Sequence, residues 1–175
     1  MSARVLALFA GGPDFVKASR TVVTVDEGGV LGDRHHGRAP ERALLLVPSA
    51  SYEALAADGI AVPHGSLGEN LVVSGLPARG LAPGTRLALG EVRAVVEAPC
   101  TVCRALTQVH PRLPKLAYGR RGVYLRIVQG GPLHAGDPVR IVTGMSASAP
   151  PAPAAEPNPR STIVASAART AEAQG

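Results

Sequence analysis

Aromatic residues are almost missing from this 175-residue chain, which has no Trp, three Tyr and two Phe. A core built from it must rest on Val, Leu, Ile and Ala, and 46% hydrophobic content over this length suffices for one such core. The five rings, Phe9, Phe15, Tyr52, Tyr118 and Tyr124, are too dispersed to form a stacking platform, which argues against nucleic acid as a partner. Cysteine is nearly absent as well, with only Cys100 and Cys103. Two thiols exclude a disulfide scaffold and a four-cysteine iron–sulfur cluster built from this chain alone. No apolar run approaches the roughly 20 residues needed to span a bilayer, and no basic segment followed by a long apolar stretch opens the sequence. The chain reads as cytoplasmic, without a membrane, and its thiols as normally reduced.

What is present is punctuation. With 20 Gly and 16 Pro the chain must turn often, which favours short strands over a helix bundle. Apolar runs of strand type recur at residues 5–9, 21–25, 43–47, 71–73, 86–89, 92–96, 123–128 and 139–142, with Gly, Pro or Asp in nearly every interval. Gly90 and Glu91 join two of these runs as a tight hairpin, and Gly130, Gly131 and Gly136-Asp137 suggest a second after residue 128. The expected fold is mainly β, a mostly antiparallel barrel with a few short helices. One helix starts near Ser49 and stops at Asp58-Gly59; another starts at Thr101 and runs to Pro111. From Met145 onward the composition collapses to Ala, Pro and Ser, too poor in large apolar side chains to bury a face. The expected organisation is one domain over residues 1–144 and a disordered tail over 145–175. The net charge of +5 belongs to the domain, because the tail's two arginines and two glutamates cancel.

Four segments carry residues with chemistry. Cys100 and Cys103 lie where a strand gives way to the expected helix, with Cys103 near its second position, and a thiol there is favoured as thiolate, the nucleophilic and metal-binding form. The competing reading is two small side chains filling a corner of the core. Asp33, Arg34, His35 and His36 sit between glycines that allow close approach to a ligand. Adjacent histidines tend to point apart, and no nearby carboxylate pair completes a zinc pattern. Glu69 and Asn70 end a second polar loop and offer an acceptor and an amide, against the alternative of a turn with a surface ion pair. Arg120 and Arg121 precede the strand at 123–128, where a guanidinium could clamp a phosphate or simply be solvated. Lys17 and Lys115 stand in unremarkable contexts.

The order of these segments, GDRHHG, GENLVVSGL, PGTRLALG, the Cys103 segment and RGVYLRIVQGGPLHAGDPV, resembles the MOSC family, named for the C-terminal domain of molybdenum cofactor sulfurases. The resemblance spans roughly residues 22–142. It implies a β-barrel-like domain, a pterin-based molybdenum cofactor in a cleft, and an essential cysteine that ligates the metal or carries a persulfide. Cys103 matches that cysteine; Asp33 and Arg34, Glu69 and Asn70, and Arg121 match the cofactor-binding loops. Soft thiolate ligation suits molybdenum, and the cofactor's phosphate would need Arg and backbone N–H partners. Cys100 departs from the simplest form of the motif and raises the question of a regulatory disulfide.

Three functions follow as expectations. The first is a molybdenum-cofactor oxidoreductase that reduces small N-hydroxylated compounds, with electrons from a separate reductase. The second is a persulfide carrier or cofactor-handling module served by a cysteine desulfurase; no lysine motif for pyridoxal phosphate argues for desulfurase chemistry in this chain itself. The third is a Cys-x-x-Cys thiol redox protein, which the scarcity of alternating βαβ units opposes.

Overall fold

The computed structural model describes residues 2–12 and 14–142. The disordered-tail expectation for residues 145–175 lies outside the described residues. In chain order the elements are β1 (Arg4–Ala10), β2 (Ala18–Arg20), β3 (Val22–Asp26), β4 (Gly29–Val30), β5 (Leu44–Pro48), α1 (Ser49–Ala57), β6 (Leu71–Ser74), β7 (Arg86–Leu89), β8 (Val92–Pro99), α2 (Leu113–Leu116), β9 (Val123–Gln129), β10 (Gly131–His134) and β11 (Val139–Ile141). Short 3-10 turns occupy Pro40–Arg42 and Arg104–Gln108.

The protein is mainly β and its strand pairs are mostly antiparallel, as expected, but among the described residues the strands form two sheets and not a closed barrel. Eight strands run in the order β11-β7-β8-β9-β5-β6-β1-β2, and β10-β3-β4 form a second, smaller sheet. The large sheet is mixed, because β5 and β6 are parallel, joined by α1 as a crossover. The start of β1 meets the segment before β11 through an isolated bridge between Arg4 and Pro138 and the backbone hydrogen bonds that flank it, not through a named strand pair. The β7–β8 hairpin turns at Gly90 as expected. The second hairpin does not form: after β9 the chain leaves the large sheet so that β10 pairs with β3, and β11 returns to pair with β7. Gly130 permits that departure, since a Cβ there would lie 2.4 Å from the carbonyl oxygen of Val25.

Parallel pairing explains the run of five buried residues in β5. Leu44 and Leu46 enter one apolar cluster with Val25, Leu87 and Leu125, whereas Leu45 and Val47 enter another with Tyr52, Leu55, Leu106 and Leu113. Side chains alternate across a strand, so a strand covered on both faces must be apolar throughout. The second cluster carries α1, α2 and the Arg104–Gln108 turn, and Cys100 belongs to it.

Gly122 marks where β9 meets β5. It has φ +91°, and a Cβ would fall 2.0 Å from the carbonyl oxygen of Leu46. Gly80 has φ +102° but open space around it. Gly122→Ala is expected to cost on the order of 3 kcal/mol or more, because backbone must move, whereas Gly80→Ala should cost only the backbone term of about 1–2 kcal/mol. Urea midpoints at unchanged slope measure both, and equal losses would contradict the close approach.

Candidate functional site

The turn after β4 presents Asp33, whose carboxylate is buried at 3% exposure. Its Oδ2 lies 2.9 Å from the Nζ of Lys17, itself 2% exposed, and accepts hydrogen bonds from the Gly11 amide at 3.3 Å and Asn70 Nδ2 at 3.2 Å. Oδ1 accepts from the His35 amide at 2.9 Å. Burial alone would raise the pKa of Asp33, but the His35 amide, Lys17 and the Gly11 amide outweigh it and hold the carboxyl below its ordinary value. Lys17 is shifted down as well, since burial of the ammonium outweighs its pairing with Asp33. The pair therefore favours an ionised carboxylate more firmly than a charged ammonium. Lys17 is the residue that sequence reasoning missed. Its signal exists only in three dimensions, because nothing beside it in sequence distinguishes it from a solvated lysine.

Asn70 joins this pair to the sheet. Its Oδ1 accepts from the Leu45 amide at 3.1 Å, and its own amide and carbonyl bond to Leu45 and Phe9. Glu69 is wholly buried, and neither it nor Asn70 makes a surface turn. The Glu69 carboxylate accepts from the Tyr52 hydroxyl, the Gly65 amide at 2.7 Å and the Leu67 amide at 3.1 Å, which folds the loop 65–68 around it. Burial and the neighbouring Glu69 charge push the Tyr52 phenol far up, so it stays a donor.

Arg121, just before β9, is 5% exposed and is not a free phosphate clamp. Nε and Nη2 donate to the carbonyl of Leu67 at 3.1 and 3.0 Å, and Nη1 donates to the carbonyl of Thr101 at 2.6 Å and to Cys103 Sγ at 3.4 Å. The Phe15 ring lies under the guanidinium at 5.7 Å. Gly68 has no side chain because a Cβ would meet that ring at 2.9 Å.

The bond from Arg121 to Thr101 also corrects the helix expected from Thr101. The Thr101 carbonyl is engaged by the guanidinium, and the Cys100 amide donates to the Gly122 carbonyl at 2.8 Å. The chain thus stays extended through Cys103, with φ −132° and ψ 162°, and only Arg104–Gln108 coils, as a 3-10 turn. Cys103 caps that turn rather than sitting inside an α-helix, so a five-residue turn supplies no appreciable macrodipole, and Arg121 sets its environment instead. Both cysteines are free thiols: Cys103 is exposed, Cys100 buried. Burial pushes the Cys100 thiol up, and burial, followed by the neighbouring Cys100 thiol, raises the Tyr124 phenol to about 12. One cysteine is thus core and the other surface.

The structure brings Asp33 and Asn70 into one hydrogen-bonded group with Lys17, and links Glu69 through the Leu67 segment to Arg121 and Cys103. Arg34, half-buried, follows Asp33 and adds positive charge near Lys17 and His35. His35 faces Asp33, with Nδ1 at 3.4 Å, whereas His36 turns away to Asp26 at 2.8 Å. Among the described residues no three His, Cys, Asp or Glu side chains group as a metal site, and no helix is long and apolar enough to cross a membrane.

These features define a small mixed-sheet domain with one exposed thiol held beside buried polar loops. The MOSC domain profile matches residues 32–140, well over half of the chain, and the chain belongs to the MOSC domain family. Its fold is shared with the YuaD protein from Bacillus subtilis, at 24% identity and TM-score 0.69, covering 79% of this chain and 94% of that one. YiiM from Geobacillus stearothermophilus matches at 22% identity and TM-score 0.69, over 80% and 75% of the two chains. YiiM from Escherichia coli matches at 23% and 0.64, over 82% and 72%. At these identities the likeness is one of fold. No curated protein matches the sequence.

Asp33→Asn leaves Lys17 buried without its counter-charge, and a loss of about 3 kcal/mol or more is expected at neutral pH. Because the folded-state pKa of Asp33 lies below the unfolded value of 3.8, its contribution is complete above that value and is lost as pH falls through the folded one. Urea unfolding of wild type and variant from pH 7 down to about pH 2 should show the gap closing in acid. A gap independent of pH would contradict the ionised pair.

Proposed function

We propose that this protein binds a pterin-based molybdenum cofactor through Cys103 and reduces small N-hydroxylated compounds, using electrons from a separate reductase. The observation that carries the reading is the exposed Cys103 thiol, fixed at 3.4 Å from the buried Arg121 guanidinium. The donor set fits such a group. A soft thiolate suits molybdenum, and a single protein sulfur is enough where an organic cofactor supplies the other ligands. Family membership adds that MOSC domains are associated with this cofactor.

When bound, the cofactor supplies a metal centre that exchanges two electrons with an N–O bond. Cys103 would hold the metal, Arg121 fixes Cys103, and Arg34 offers positive charge for a phosphate. Glu69 shapes the loop whose Leu67 carbonyl anchors Arg121, and Asp33 with Asn70 ties the Gly11 segment to the sheet. The overall change breaks the N–O bond: R–NHOH takes up two electrons and two protons and leaves as R–NH2 and water. Reduced cytoplasmic surroundings would keep Cys103 as a thiol.

The exposure of Cys103 also favours the second reading, a persulfide carrier loaded by a cysteine desulfurase. Thiol redox chemistry between the two cysteines has less support, since Cys100 is buried and Cys103 precedes no α-helix. Protein made in a host competent for the cofactor should retain molybdenum and, with a reductase, reduce an N-hydroxylated purine. Cys103→Ala should lose molybdenum and activity by more than the roughly 10–100-fold typical of removing an outer partner of a metal ligand. Undiminished molybdenum in the variant would remove Cys103 as the ligand. Transferable sulfur on Cys103 with no bound metal would favour the carrier.

A further inference from the structure

The excess of positive over negative charge in this protein lies in one stretch. Residues 98–136 contain six of the 18 Lys and Arg and none of the 13 Asp and Glu. The rest of the chain, with twelve basic and thirteen acidic residues, is close to neutral. Three of the six are already used: Arg121 at Cys103, Arg120 against Asp58 at 2.7 Å, and Arg126 against Glu97 at 2.6 Å. The other three, Arg104, Arg112 and Lys115, are exposed. Among the described residues none of them has a carboxylate within 4 Å; Arg112 reaches only the Asp58 carbonyl, at 3.5 Å. They lie on the Arg104–Gln108 turn that Cys103 caps and on or beside α2, which packs against that turn. Tyr118, 73% exposed, follows α2 and is the most exposed of the large hydrophobic side chains described.

From this arrangement we infer that the face formed by Arg104, Arg112, Lys115 and Tyr118 docks an acidic electron-donor protein beside Cys103. The inference rests on the reductase reading, which needs two electrons that two cysteines cannot store as a cluster. Unpaired cations around a reactive centre steer an anionic partner and set its orientation, while an exposed aromatic supplies an apolar anchor. A protein is favoured over nucleic acid because one tyrosine gives no run of stacking rings. A flavoprotein donor would pass two electrons from its hydroquinone, releasing two protons as the flavin returns to the quinone.

The test uses the full chain and an acidic FMN flavodoxin as probe. Binding of the flavodoxin should weaken as salt rises. Combined Arg104→Glu, Arg112→Glu and Lys115→Glu substitution should weaken it roughly tenfold or more, whereas Arg140→Glu on β11 should not. The milder Arg104→Gln and Lys115→Gln variants should fall between if the triple variant folds poorly. In cofactor-loaded protein, flavodoxin-driven reduction of the N-hydroxylated purine should fall in parallel, while turnover driven by reduced methyl viologen stays at the wild-type rate. Flavodoxin binding that ignores salt and charge reversal, or tighter binding of a single-stranded oligonucleotide, would overturn the docking face. Loss of viologen-driven turnover in loaded wild type would overturn the reductase reading instead, and the binding arm is read without turnover.

Discussion

A single buried guanidinium holds the site together. Arg121 carries a guanidinium fork that has to be filled by acceptors once it is taken out of water. Two carbonyls and one sulfur fill it, from Leu67, Thr101 and Cys103. The guanidinium thereby ties the Leu67 loop to the Thr101–Cys103 segment, and removing it would leave the carbonyl of the buried Leu67 short of a donor. Hydrogen bonds from a charged donor contribute about 1.5–3 kcal/mol each, enough to choose one conformation of the Cys103 segment over an α-helix.

The acidic side of the site is built with the same economy. Among the described residues Glu69 has no cation in contact; it is held by two loop amides and a tyrosine hydroxyl, and so fixes the loop that presents the Leu67 carbonyl to Arg121. Asp33 does have a cation, and the pair is anchored to β1 and β5 through Asn70. Buried ion pairs of this sort are costly in desolvation and sensitive to the loss of either member. Their return is a rigid frame for the loops that meet beside the exposed Cys103 thiol.

Much of this was legible in the sequence where a residue's meaning is local. The strands at 71–73, 86–89, 92–96 and 123–128 follow from apolar runs between glycines, and the turn at Gly90 from its place between two of them. The crossover could also have been read, since five consecutive apolar residues at 44–48 followed by a helix are the mark of a parallel strand. The three short strands Ala18–Arg20, Gly29–Val30 and Gly131–His134 could not. They have one or no buried apolar side chain, or contain Pro132, and exist because β1 and β3 offer them edges. The site divides the same way. Asp33, Glu69, Asn70, Arg121 and Cys103 stand in motifs, but that Arg121 spends its donors on the protein, or that Lys17 is buried against Asp33, depends on contacts between distant segments. Helical spacing after Thr101 misled because it omitted the claim of Arg121 on the Thr101 carbonyl.

The central claim is that Cys103, and not Cys100, is the sulfur that meets the metal. Molybdenum K-edge absorption on cofactor-loaded protein with selenocysteine at position 103 tests it directly. A molybdenum–selenium scattering path is the predicted result; spectra without one, from protein that retains its full complement of molybdenum, would contradict it.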